Sequence, residues 1–261
     1  MRIRTTLSLL ALISIVGCQS AKLPNPNEPS EVGMLSGDNV ADQFQSISDS
    51  MAVHRNRREI NEAEYEAIMR DYASKLLSGY SPDKADPAKA YKYAEVLIAA
   101  KNWPVAKATL EVAVKFARMT KNQDRRVNDS LRLARVYAEM GDVAEAIKVA
   151  RSTFDAPPEE SAPILFAAQY EITRAGRGKG KDIELAHLIE DAIAIDLKVK
   201  VNADTAPGIL FLRQRPHHIS VAWRTVATLY SAANRPDLAA KALLNADTLG
   251  HHSMMDQTRK I

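Results

Sequence analysis

Residues 127–158 read VNDSLRLARVYAEMGDVAEAIKVARSTFDAPP, and two helical stripes are written into that stretch. Leu133, Ala134 and Tyr137 recur at the spacing that puts side chains on one face of a helix, and after a break Ala146, Ile147 and Ala150 do the same. The break is Gly141 followed by Asp142: a residue that tolerates a left-handed backbone, then a short acidic side chain suited to cap the next helix. Pro157 and Pro158 close the pair, because proline has no N–H to continue the ladder. The stretch therefore predicts a helical hairpin whose two members approach closely through alanine.

Similar hairpins lie on either side. Upstream, Asp86 and Pro87 form a cap and first-turn pair, Tyr93, Ala94, Leu97 and Ile98 line a helix ending near Asn102, and a partner runs from Trp103 to about Met119. Its inner side carries Ala106, Leu110, Ala113, Val114 and Ala117. Downstream, Ile164 to Ala175 pairs with Ile183 to about Asp196 across the loop Gly176–Lys181. A less regular stretch around Val201 to Pro216 precedes a last hairpin, Ala222 to Ala233 with Asp237 to Leu249. Near the start of the folded part, a short helical segment runs from Val40 to about His54. A longer one is opened by Asn61 with Glu64 three residues on, a capping-box spacing, and its stripe is Tyr65, Ile68, Tyr72 and Leu76. The predicted organisation is 40–85 as an N-terminal hairpin or cap, 86–252 as the repeat region and 253–261 as a tail.

Composition agrees with helices. The chain has 261 residues, 46% hydrophobic and 26% charged, with only ten glycines and few aromatics, which is ordinary globular material.

The aligned hairpins resemble the tetratricopeptide repeat, whose pattern is W-x2-L-G-x2-Y, then A-x3-F, then P. Ser130, Leu133, Ala134, Tyr137, Ala146, Ala150 and Pro158 match it in one hairpin, and Trp223, Val226, Ala227, Tyr230, Ala239 and Leu243 in the last. Ala90, Tyr93, Ala94 and Leu97 lead to Ala106, Leu110 and Ala113 in the first; the third fits with Ala186 as its small residue and the glycine-rich loop as an insertion. Ala106 to Ala146 spans 40 residues and Ala146 to Ala239 spans 93, longer than the family's usual ~34 per repeat, so helices or loops are extended here. The resemblance implies an all-α fold, a right-handed superhelix of hairpins, whose concave face holds a partner protein or peptide. Transferred by position, that groove is lined by Tyr91, Glu95, Asn128, Leu131, Arg135, Glu139 and Arg224. It lacks the lysine and asparagine clamp with which chaperone-binding members hold a terminal carboxylate.

The N-terminus supplies an address. Arg2 and Arg4 precede an apolar stretch, Leu7 to Val16, that is about half the ~20 residues needed to span a bilayer and so reads as the core of a signal peptide. The run Ile15, Val16, Gly17, Cys18 resembles the lipobox of bacterial lipoproteins. That resemblance implies cleavage after Gly17 and acylation of Cys18, with two or three chains for a firm hold. Gln19, in place of the aspartate that retains family members at the inner membrane, implies the outer membrane with the domain facing the periplasm. Residues 1–17 are then the signal peptide and 18–39, with Pro24, Pro26 and Pro29, a disordered tether. Cleavage removes Arg2 and Arg4 and leaves 33 basic against 32 acidic residues, which gives no electrostatic footprint for nucleic acid. The one cysteine is taken by lipid, so no disulfide is expected.

No catalytic signature is present. His217 with His218 and His251 with His252 are adjacent pairs, about 100° apart on a helix, and lack any HExxH or cysteine company for a metal. The basic loop Gly176–Lys181 lacks Walker spacing, and Asp182 stands where serine or threonine would be needed; at most it would hold an anion loosely. Glu62, Glu64, Glu159 and Glu160 read as first-turn helix charges. The expectation is a noncatalytic scaffold or assembly factor without metal or cofactor, bound to an envelope protein through the groove and to the membrane through Cys18. The alternative is an envelope hydrolase or glycan-binding protein on the same superhelix.

Overall fold

The computed structural model describes residues 34–258, with side chains through Thr248. The signal peptide, Cys18 and the tether up to residue 33 lie outside the described residues, as do the side chains of His251 and His252. Among the described residues there is no strand. The α-helices are α1 (Gly37–Asn56), α2 (Glu62–Leu76), α3 (Ala90–Ala99), α4 (Trp103–Met119), α5 (Gln123–Glu139), α6 (Val143–Arg151), α7 (Pro163–Phe166), α8 (Thr173–Gly176), α9 (Asp182–Asp196), α10 (Ala206–Ala232) and α11 (Pro236–Thr258). A π-helical segment, Ala167–Ile172, joins α7 to α8 into one rod over 163–176.

Packing runs in chain order. α4 lies between α3 and α5, α6 contacts α5 and α9, the 163–176 rod packs on α5 and α9, and α10 sits between α9 and α11. Each hairpin touches the one before and the one after, which is the arrangement of a solenoid rather than of helices gathered round one axis. Ala106, Ala146 and Ala186 are successive second-helix contacts 40 residues apart, each fully buried at 0%. Ala94 and Ala134 repeat the same 40-residue step on the first helices, also at 0%. A small side chain at these buried contacts lets neighbouring helices approach closely.

The turns are one device used repeatedly. Arg58, Lys101, Lys121, Gly141 and Asn234 all have positive φ, between 54° and 90°. At each, the following amide bonds back to the carbonyl five residues earlier, as Asp142 does to Tyr137 at 2.9 Å and Asn122 to Ala117 at 3.0 Å. This is the Schellman termination, and after Lys121 and Gly141 the next residue caps the following helix. Asn122 accepts from the Arg125 amide at 3.0 Å and Asp142 from the Glu145 amide at 3.2 Å.

The structure amends several expectations. The N-terminal stretch folds earlier than expected: Ser36 caps α1, Met34 and Leu35 pack on the core, and the Tyr93 hydroxyl donates to the Leu35 carbonyl at 2.6 Å. Residues 34–39 are therefore not tether. Gly37 is needed there, because a Cβ would stand 2.9 Å from Lys89 Cβ and 3.1 Å from the Tyr93 ring. The capping box of Asn61 and Glu64 forms, with bonds of 2.8 and 3.0 Å, but the buried stripe of α2 is Met69, Ala73 and Leu76, and Ile68 is 40% exposed. The irregular stretch before the last hairpin is mostly helix. Thr205 caps α10 and Pro207 sits in its first turn, so proline and glycine there start the helix instead of interrupting it, and Pro216 lies within it. Backbone helix continues to Thr258, through most of the expected tail.

Candidate partner-binding groove

The first helices of successive hairpins, α3, α5 and the 163–176 rod, are stitched together by charge. Arg132 of α5 pairs with Glu95 of α3, and Arg135 of α5 reaches Glu171 of the π segment at 3.3 Å. Asp129, 1% exposed, takes Arg125 through both oxygens at 2.6 and 2.7 Å and Arg132 at 3.4 Å. Burial pushes the Asp129 carboxyl up from its ordinary range, and the two arginines pull against that. Arg125 in turn stacks over Tyr91, 3.3 Å from the ring centre. These contacts link neighbouring repeats through charge and keep the face polar.

At one end the N-terminal hairpin borders this face and forms with it a half-open cavity of about 480 Å³, the size of an ordinary ligand or peptide pocket. Phe44, Met69, Ile98 and Trp103 supply apolar wall; Glu62, Glu66, Glu95, Lys101, Arg135, Glu139 and Arg174 supply charge. Several of these charges are already matched: Lys101 with Glu66 at 3.2 Å, and Glu62 with Arg55 at 3.3 Å. Glu139 and Arg174 make no ion pair among the described residues. Arg135 has its single 3.3 Å contact to Glu171 and a buried Nε without an acceptor. Two weakly committed guanidiniums, an unpaired Glu139 and an indole make a site that can hold an extended segment carrying charges of both signs. Ser48, the serine of the lining, is hydrogen-bonded to Tyr65 at 3.2 Å.

The seven groove residues taken from the repeat pattern divide. Glu95, Arg135 and Glu139 come together in this cavity. Tyr91 lines a separate pocket of about 220 Å³ with Arg125 and Asp129, and Arg224 lines a third, of about 180 Å³, while pairing with Asp247 at 2.9 Å. The Asn128 amide is spent on Asp124 of its own helix. Leu131 is a correction: it is 3% exposed, within the core, and offers nothing to a partner. Its position on α5 shares the groove side, but the 163–176 rod packs over that helix. Arg174, which follows the π segment Ala167–Ile172, and Trp103 were missed as groove residues.

The other candidates are occupied locally. In the glycine-rich loop, Lys179 donates to the Ala138 carbonyl at 2.8 Å, the Gly178 amide to Asp182 at 2.8 Å, and Lys181 to Glu184 at 2.8 Å, so three of the donors for an anion already have partners. His217 and His218 are exposed with ring centres 6.0 Å apart. Among the described residues no three His, Cys, Asp or Glu side chains are grouped to hold a metal, and no helix is long and apolar enough to cross a membrane.

Helix stacking defines the class: an all-α solenoid of tetratricopeptide-like hairpins. No family model matches the chain, and no curated protein matches it. Among solved structures, a Podosopora anserina kinesin light chain with nearly identical TPR-like repeats aligns at 17% identity and a TM-score of 0.45, covering 82% of this chain and 97% of that one.

Proposed function

We propose that this chain is a noncatalytic lipoprotein of the outer membrane, acylated at Cys18 and facing the periplasm, that acts as a scaffold or assembly factor by holding a segment of another envelope protein in its groove. The observation that carries the binding role is the cavity of about 480 Å³ in which Arg135 and Arg174 stand with few partners beside Trp103. Four glutamates stand in the lining against Lys101, Arg135 and Arg174, so it offers charges of both signs, and the apolar wall of Phe44, Met69 and Ile98 favours a segment with an aliphatic or aromatic anchor. The address rests on Arg2, Arg4, the short apolar run and the sequence around Cys18.

Photo-crosslinking in cells tests the binding role. A photoreactive residue in place of Ile98, inside the cavity, should give a discrete adduct that disappears in the Arg135→Glu, Arg174→Glu variant; one in place of Met119, 73% exposed elsewhere, should not. No adduct at Ile98, or one indifferent to the charge reversal, removes the scaffold. For the anchor, Cys18→Ser should abolish palmitate labelling and shift the protein out of the outer-membrane fraction, and retention of both refutes lipidation there.

A further inference from the structure

One corner of the solenoid gathers half of the exposed large apolar side chains among the described residues: Phe166, Tyr170, Leu197, Ile209, Leu210 and Leu212, out of twelve. Ile209 and Leu210 are 53% and 52% exposed, and Leu212 is 40% exposed. With Phe211 they occupy four successive helical positions, which sweep most of the way round the axis, so no single neighbouring groove could cover them. The nearest pocket, lined by Phe166, Phe211 and His218, is about 180 Å³, too small for a partner helix.

The corner is also basic. Between Leu197 and His218 stand Lys198, Lys200, Arg213 and Arg215 against Asp204; Asp196 just before them is paired with Arg215, and Glu159 and Glu160 follow Pro158, whose carbonyl accepts from the Lys200 amide at 3.3 Å. Lys198, Lys200 and Arg213 are exposed, while Arg215 braces the corner by donating to the Val199 carbonyl at 2.9 Å and lying 3.6 Å from Asp196. The first turn of α10 is pinned as well: Thr205 donates to the Asn202 carbonyl at 2.9 Å and accepts from the Gly208 amide at 3.2 Å. A protein surface that presents aliphatic and aromatic side chains on a fixed projection, ringed by lysine and arginine, matches the layering of a lipid interface, where acyl chains lie beneath anionic headgroups.

We infer that this corner, Phe166, Tyr170 and residues 197–213, seats in the interface of an anionic phospholipid bilayer. The contact is independent of acylation at Cys18 and of the groove, and it would hold the solenoid in a set orientation on the membrane.

The lone cysteine makes the test simple. In the full chain carrying Cys18→Ser, Leu210→Cys provides a single thiol for an environment-sensitive dye, and Met119→Cys provides an exposed control elsewhere. With vesicles of phosphatidylethanolamine and phosphatidylglycerol, the dye at 210 should shift to the blue and be quenched by brominated lipid, and the dye at 119 should not. Adding Lys198→Glu and Arg213→Glu should weaken the transition at least tenfold, as should replacing phosphatidylglycerol with phosphatidylcholine. A dye at 210 that stays in water overturns the inference. So does a blue shift without vesicles that grows with protein concentration, which would mean a second copy covers the corner.

Discussion

Tyr137 and Tyr230, the tyrosines of the repeat pattern, set an alkaline limit on the fold. Tyr137 donates to Glu111 at 3.1 Å, and burial, with Glu111 beside it, pushes its phenol up to about 12. Burial and the neighbouring Glu190 push Tyr230 up to about 12 as well. In the unfolded chain both phenols ionise near 10, so between those values the folded protein keeps protons that the unfolded chain has released. Their contribution to stability is whole below pH ~10 and falls as pH climbs toward ~12. In Tyr137→Phe with Tyr230→Phe, denaturant midpoints should decline less steeply over that window, and an unchanged slope would clear the tyrosines. Both residues were legible in the sequence by spacing alone. Gly208 was legible only as a breaker. Its real constraint is contact, since a Cβ would lie 1.9 Å from the Asn202 carbonyl oxygen. Gly208→Ala should cost about 2–3 kcal/mol in thermal or chemical unfolding by forcing the first turn of α10 away from residues 202–205.

At the scale of elements, the hairpin from Val127 to Pro158 could be read because its turn uses glycine; its relatives could not be read as sharply. Lys101 and Lys121 adopt the same left-handed conformation with side chains that do not advertise it, and Asn234, which tolerates it, carries a weaker signal than glycine. The shared geometry makes two opposite predictions. Gly141 has φ of +90° and open space around a would-be Cβ, so Gly141→Ala should destabilise by about 1 kcal/mol through backbone strain alone. Lys121→Gly, at an exposed site with φ of 54°, should stabilise by about 0.5–1 kcal/mol, relief of strain exceeding the added freedom of the unfolded chain. Paired melting curves decide; equal signs for the two substitutions would exclude turn strain as the common cause. The longer misreading, at the start of α10, took the stretch around Val201 to Pro216 as irregular. Proline in the first turn of a helix is favourable, and Pro216 is carried by a helix long enough, at 27 residues, to survive one missing bond. The π segment left no sequence signal at all.

For the whole molecule, the repeat stack contains two cores that meet along α5. Leu133 and Val136 belong to the N-terminal one, Val127, Leu131 and Ala134 to the C-terminal one, and the partly buried Tyr137 and Val149 pack against both. In a solenoid the coupling between neighbouring units is an interface energy, separable in principle from the stability of each unit. If that seam is what makes the chain unfold as one, cutting it should divide the transition. The sequence provides the probes: of its two tryptophans, Trp103 packs on the N-terminal core and Trp223 on the C-terminal one. In the parent, single-tryptophan proteins made with Trp103→Phe or Trp223→Phe should report coincident denaturant midpoints. Adding Tyr137→Ala and Val149→Ala removes side chains worth about 2–3 kcal/mol from the seam. The smaller core, with 13 buried apolar residues against 27, then loses its support and should let go first, so the Trp103 midpoint moves to lower denaturant than that of Trp223. If both probes shift together by the same amount, α5 is not a joint between two units and the array unfolds as a single core. Separation of the midpoints would also bear on binding, because the cavity holding Arg135 and Trp103 straddles that joint, and a partner bound there would clasp the N-terminal core to α5 and α8.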